Sequence, residues 1–156
     1  MNTSFTKLNH RWNAHPNVPE PSVEVVGQDL SMKFLMNAYQ FTRFKEGDVG
    51  VLRFSNCWRY RLGGTNDEGW YRGQCRFSGI APAWGAFYEV KGDLRIESDP
   101  EAYEWVTLRS PSLKSRHFLF YLRDETFECD AESWSLAVGT ETIDQQSWQV
   151  PGLLVP

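Results

Sequence analysis

The feature that most constrains this chain is a succession of short apolar and aromatic segments, each closed by Gly, Asp or Asn, with no long run of helical period between them. Segments at 23–26, 30–37, 39–44, 49–62, 70–77, 85–91, 94–97, 105–108, 116–123 and 126–138 are rich in branched and aromatic residues, which favour pleated, half-buried backbone. Connections such as Lys45-Glu46-Gly47-Asp48 and Lys91-Gly92-Asp93 have hairpin length and turn composition. Short strands joined by tight turns make an antiparallel meander, and the lack of strands alternating with long amphipathic helices argues against a parallel nucleotide-binding sheet. The expected fold is a single all-β domain of about eight to ten antiparallel strands, closed into a barrel or folded as a sandwich, with at most short helices. The barrel is preferred, because the second face of several strands is neither wholly polar nor wholly apolar. One or two helical turns are expected from Ser98-Asp99-Pro100-Glu101, an acidic cap before a proline, through about Glu104.

A chain of 156 residues suits one domain, and its seven Trp, six Tyr and ten Phe can build a core without staples. Residues 1–22 carry Pro16, Pro19 and Pro21 and read as an extended arm anchored by Trp12. Residues 23–138 form the β-domain. The tail, 139–156, ends in an apolar stretch expected to dock on this domain or on a second copy in a homodimer. No apolar run resembles a leader or a membrane span, so a cytoplasmic protein with no membrane partner is expected. Cys57, Cys75 and Cys129 are odd in number and lack Cys-x-x-Cys spacing, and so read as unpaired packing residues.

The net charge of −4 argues against a general phosphate-binding surface, and no nucleic-acid partner is expected. The charge is uneven: residues 1–78 hold ten basic and seven acidic side chains, residues 79–156 six and thirteen. Period-two alternation in a hairpin with its tip at 63–70 places Arg59, Arg61, Arg72, Gln74 and Arg76 on one face. A second hairpin, turning at Arg123-Asp124-Glu125-Thr126, sets Leu122 opposite Phe127, with Phe118, Phe120 and Cys129 on the same apolar side. Its other face carries His117, Leu119 and Tyr121 against Glu128, Asp130 and Glu132. The plainest arrangement is that the arginine face and the acidic face meet and neutralise each other, or that both lie in solvent with partial pairing.

The functional expectation is a non-catalytic binding domain. It would recognise a small polar or anionic ligand in a barrel cavity, through Arg59, Arg61, Arg72, Arg76 and Trp70, or a protein partner through its charged sheet face. The alternative is a small enzyme in which His117 acts with a carboxylate, Glu128 or Asp130, and Tyr121 donates a proton. Neither a metal nor another cofactor is expected. His10, His15 and His117 match no ligand spacing, and Asn66-Asp67-Glu68 lacks the ladder of a calcium loop. There is no Gly-x-Ser-x-Gly elbow, and Gly63-Gly64 and Gly69 form no phosphate loop.

Overall fold

In the computed structural model, which describes residues 2–145, eleven strands form two antiparallel sheets. They are β1 (Ser4–Lys7), β2 (Ser22–Val26), β3 (Asp29–Leu35), β4 (Val49–Ser55), β5 (Arg59–Gly63), β6 (Phe87–Lys91), β7 (Val106–Thr107), β8 (Arg116–Tyr121), β9 (Thr126–Ala131), β10 (Ser133–Val138) and β11 (Glu141–Gln145). The helical elements among these residues are α1 (Asp67–Tyr71) and a 3-10 turn (Ile96–Ser98). One sheet has the order β1-β6-β8-β9-β5-β7 and the other β11-β10-β4-β3-β2. The protein is all-β and antiparallel as expected, but neither sheet closes on itself. The preferred barrel gives way to a sandwich-like packing.

The core follows from strand alternation. Phe118, Phe120, Leu122, Phe127 and Cys129 share one cluster with Leu30, Met32, Phe34, Leu52, Phe54, Trp134 and Leu136 of the opposing sheet. The β8–β9 register differs from the expected one by two residues: Phe120, not Leu122, lies opposite Phe127. The Leu122 amide donates to the Glu125 carbonyl, which closes a two-residue loop at Arg123-Asp124. A shift of two preserves the side-chain faces, so the apolar and acidic sides stay as read.

The apolar runs 49–62 and 126–138 are each two strands. At Asn56, which has φ of 45°, and again at Glu132, the chain crosses from one sheet to the other, as strands do at sandwich corners. Asn56 Nδ2 donates to Glu132 Oε2 at 2.5 Å and ties the two crossings together. Segments 39–44, 70–77 and 94–97, expected as strands, are turns, α1 with its following loop, and the 3-10 turn. Helix α1 is explained by Asn66, whose side chain caps the Gly69 amide. The helix expected over 98–104 does not form. Asp99 Oδ1 accepts from the Glu101 amide in a local turn, while Asp99 Oδ2 is held by Arg61 at 2.8 Å.

The N-terminal segment contributes β1, which pairs with β6, and Trp12, which is fully buried among Phe34, Phe87, Phe120 and Trp134. Its Nε1 donates to Asp144 Oδ2 of β11 at 2.8 Å. Residues 146–156, with the apolar end expected to dock, lie outside the described residues. All three cysteines are buried and unpaired.

Truncating a fully buried aromatic at the centre of this core, Phe120→Ala, should cost about 3–5 kcal/mol in urea unfolding. A loss below about 1 kcal/mol would contradict the facing of β8.

Candidate functional site

The outer face of the six-stranded sheet is buried as well. Residues 64–86 and 94–105 fold back over it, and the covered surface is part apolar and part ionic. On β6 and β8, Tyr88, Val90, Leu119 and Tyr121 pack with Cys75, Phe77, Ala81 and Ala86 in a second cluster. On β8, β9 and β5, the register places charges directly opposite one another: His117 beside Asp130, Asp130 beside Arg59, and Glu128 beside Arg61.

Glu128 is fully buried at the centre of the ionic part. Its Oε2 accepts from Arg61 Nη2 at 2.7 Å and Nε at 3.0 Å, and its Oε1 accepts from Arg76 and lies 2.8 Å from His117 Nε2. Arg61 also reaches Asp99 at 2.8 Å and Glu101 at 3.3 Å. The Tyr103 hydroxyl donates to Glu101 Oε1 at 2.6 Å. Asp130 takes His117 Nδ1 at 2.9 Å and Arg59 Nε at 2.6 Å. The Trp105 ring lies 4.1 Å from the Arg59 guanidinium carbon and 4.6 Å from that of Arg61, a cation–π cover over the cluster. Gly63 is required here, because a Cβ at this position would fall 2.1 Å from the Tyr103 ring. Four cations, Arg59, Arg61, Arg76 and His117, thus meet four carboxyl groups, Asp99, Glu101, Glu128 and Asp130.

The protonation of His117 follows from its contacts. Nε2 lies 2.8 Å from Glu128 and 3.0 Å from Arg76 Nη2. An unprotonated Nε2 would set its lone pair against a carboxylate oxygen, so Nε2 carries a proton and shares Glu128 Oε1 with Arg76 as a second donor. With Nδ1 donating to Asp130, the ring is an imidazolium. Burial works against this charge, but the bonds to Asp130 and Glu128 outweigh it and hold the His117 pKa above its ordinary value. Burial likewise opposes ionisation of Glu128, yet His117, Arg76 and Arg61 bring its pKa down to about 2. Asp130 is lowered in the same way, against burial, by His117 and Arg59. Burial raises Glu101, despite the bond from Tyr103, and raises the Cys75 thiol to about 12.

The hairpin expected to join Arg59 and Arg61 to Arg72 and Arg76 is absent, since β5 pairs with β9 and β7. Arginines opposed across a hairpin would repel one another, whereas β9 presents carboxylates to them. Arg59, Arg61 and Arg76 converge on the acidic strand even so, Arg76 from the loop after α1. Arg72 stands exposed at the C-cap of α1. Trp70 is half-buried against Tyr71, Trp84 and Tyr121. Tyr121 is buried in the apolar part and makes no bond to His117.

Where β6 ends and β8 begins, the ionic cluster opens into a cleft of about 450 Å³, bounded by Trp58, Lys91, Leu94, Pro111, Ser115 and Arg116 with His117 and Asp130 in its wall. Its carboxylates are fully engaged: Glu89 takes Arg116 Nη2 and Nε at 2.7 and 2.9 Å, and Asp130 is held as described. The groups left over are donors. Arg116 Nη1 is buried with no partner, the Nη groups of Arg59 have none among the described residues, and Lys91 is exposed at the rim. Arg116 escaped the sequence reading because it has the parity of the apolar face of β8. Its one signal is a cation at the start of a strand that is otherwise apolar on that side.

Comparison with family models, with curated proteins and with solved structures gives no match for this chain. Among the described residues, no group of three or more His, Cys, Asp or Glu side chains is arranged to hold a metal ion, and no helix is long and apolar enough to cross a membrane.

The shifts fix how stability depends on pH. With its folded pKa raised, His117 contributes stability that is fully present below its unfolded pKa, about 6.5, and is lost as pH rises through the folded value. Glu128 and Asp130, both lowered, contribute above ordinary carboxylate values, and this is lost as pH falls towards about 2 for Glu128. The melting temperature should therefore decline on both sides of a mildly acidic plateau. His117→Gln should be less stable on the plateau, with a gap that narrows at alkaline pH. A gap independent of pH would contradict the imidazolium.

Proposed function

We propose that the protein is a non-catalytic, cytoplasmic binding domain whose ligand is a small anion held in the cleft beside β6 and β8. The observation that carries this reading is the inventory of hydrogen-bonding groups in the cleft. Every carboxylate there is already bonded, while guanidinium donors of Arg59 and Arg116 are not, and an unpartnered buried donor is costly until an acceptor arrives. Arg59, Arg116, Lys91 and the His117 imidazolium outnumber Glu89 and Asp130, so the acceptor that suits the cleft is negatively charged. Planar guanidinium groups match carboxylate or phosphate geometry.

Three further observations bear on the choice of reading. Both nitrogens of His117 are bonded to carboxylates, which leaves no lone pair for a general base and favours binding over catalysis. The charged sheet face is buried beneath residues 64–86 and 94–105, which favours a small ligand over a protein partner docked on that face. The unpaired, buried thiols suit a reducing compartment.

Citrate, malonate and inorganic phosphate, titrated separately in a thermal-shift assay, test the reading. At least one should stabilise the protein saturably, by about 2.7 kcal/mol at a hundred times its Kd. In Arg116→Gln the same anion should bind at least roughly tenfold more weakly. Absence of a saturable shift with all three, or an equal shift in Arg116→Gln, would overturn the assignment.

A further inference from the structure

We infer that a second cleft, at the opposite end of the six-stranded sheet, is a site for a neutral polyhydroxylated ligand of the saccharide class. It has a volume of about 440 Å³ and lies where β8 ends and β6 begins, between the N-terminal segment and the loop before β6. Asn13 Nδ2 donates to the Gly85 carbonyl at 2.6 Å and pins these two walls together. The site is therefore a fixed concavity rather than a gap between loops.

Its chemistry differs from that of the first cleft. The formally charged side chains lining it are Asp67 and Arg123, of opposite sign, so it selects for no net charge. Of the remaining polar groups, His15 and Asn37 are held in defined orientations. His15 Nδ1 accepts from the amides of Asn17 and Val18, both at 3.0 Å, which leaves Nε2 as a donor. Asn37 Oδ1 accepts from the amides of Tyr39 and Gln40, both at 3.1 Å, and its Nδ2 bonds no described residue. Asp67 uses Oδ1 on the Glu68 amide, and the exposed Gln40 side chain makes no hydrogen bond among the described residues. Unengaged donors and acceptors thus stand side by side, as suits hydroxyl groups that each donate and accept.

An aromatic surface completes the site. Trp84 is half-buried and lines the cleft, stacked on Tyr121 with ring centroids 4.6 Å apart and planes at 27°. The stack fixes the indole as a flat apolar platform, against which the C–H face of a pyranose ring can lie while its hydroxyls reach the amides. Because the platform and the Asn37 amide are ordered before binding, the side-chain entropy still to be lost falls mainly on Gln40.

Proton–nitrogen NMR spectra titrated with maltose, cellobiose, lactose and N,N′-diacetylchitobiose decide the matter. At least one should give saturable shifts in the Trp84 indole and the Gln40 and Asn37 side-chain amides. Trp84→Ala should abolish them. Because Trp84 also packs on Tyr121, the deciding variant is Gln40→Ala, whose side chain has no structural bond to lose. It should weaken binding by about fivefold, the loss of one hydrogen bond, with melting temperature unchanged. Arg116→Gln, in the other cleft, should bind as the parent does. No saturable shift with any of the four sugars, equal affinity in Gln40→Ala, or binding of glucuronate without binding of any neutral sugar would each overturn the assignment.

Discussion

A single buried carboxylate organises this protein. Glu128 takes bonds from Arg61, Arg76 and His117, three cations from three parts of the chain; the Arg76 guanidinium has no other carboxylate partner among the described residues, while Arg61 and His117 would keep only their bonds to Asp99, Glu101 and Asp130. Breaking a buried ion pair by removing one partner typically costs about 3–5 kcal/mol, because the other is left uncompensated. The covering segments depend on the same cluster. Arg76 arrives from the loop after α1, and Asp99, Glu101, Tyr103 and Trp105 arrive on the strap before β7. The outer layer is therefore fastened to the sheet by charge in one half and by the Cys75, Phe77 and Ala81 packing in the other. Buried networks of this kind add less net stability than an apolar core would, but they admit far fewer alternative arrangements. In a layer built largely of irregular segments, these bonds tie the loop after α1 and the strap before β7 to one point on the sheet.

Much of this was legible from sequence, and what was not has identifiable causes. The facing of β8 and β9 followed from period-two alternation over six residues each, and it survived a two-residue change in register because the period is two. The register itself depended on whether the turn spans two residues or more, which Arg123-Asp124-Glu125-Thr126 leaves open. The crossings at Asn56 and Glu132 were hidden because apolar character continues through them. The hairpin built on 63–70 erred for a different reason. Gly63-Gly64 and Gly69 resemble a turn, but Asn66 before Asp67-Glu68 is also a helix cap with acidic residues in the first turn, and it acts as one. Opposing Arg59 and Arg61 to Arg72 and Arg76 would have left like charges face to face, an indication that their true partner lay elsewhere.

That partner was foreshadowed by the charge imbalance of the two halves. Arg59, Arg61 and Arg76 belong to the basic half, and Asp99, Glu101, Glu128 and Asp130 to the acidic half. The neutralisation happens in the folded molecule, between residues up to 71 positions apart. Local pattern cannot specify such pairing, so the strap residues Tyr103 and Trp105 were unreadable as site components. The two clefts extend the same logic. At one end of β8 the ionic cluster adjoins a cleft lined by Arg59, Lys91 and Arg116. At the other end an aromatic stack and neutral amides take over. One sheet thereby carries two chemically distinct recesses, one at each end of β8.

The most direct measurement of this account is the protonation state of His117, observed through its ring nitrogens in a nitrogen-15 NMR spectrum at neutral pH. If Glu128 and Asp130 clamp an imidazolium, both ring nitrogens will show the shifts of protonated sites, with slowly exchanging N–H protons, and will keep them as pH is raised above the ordinary histidine range. A single unprotonated nitrogen at neutral pH would mean that Nε2 accepts from Arg76 instead. The buried cluster would then have one cation fewer than its carboxylates require, and the description of the outer layer as a balanced ionic clamp would fail.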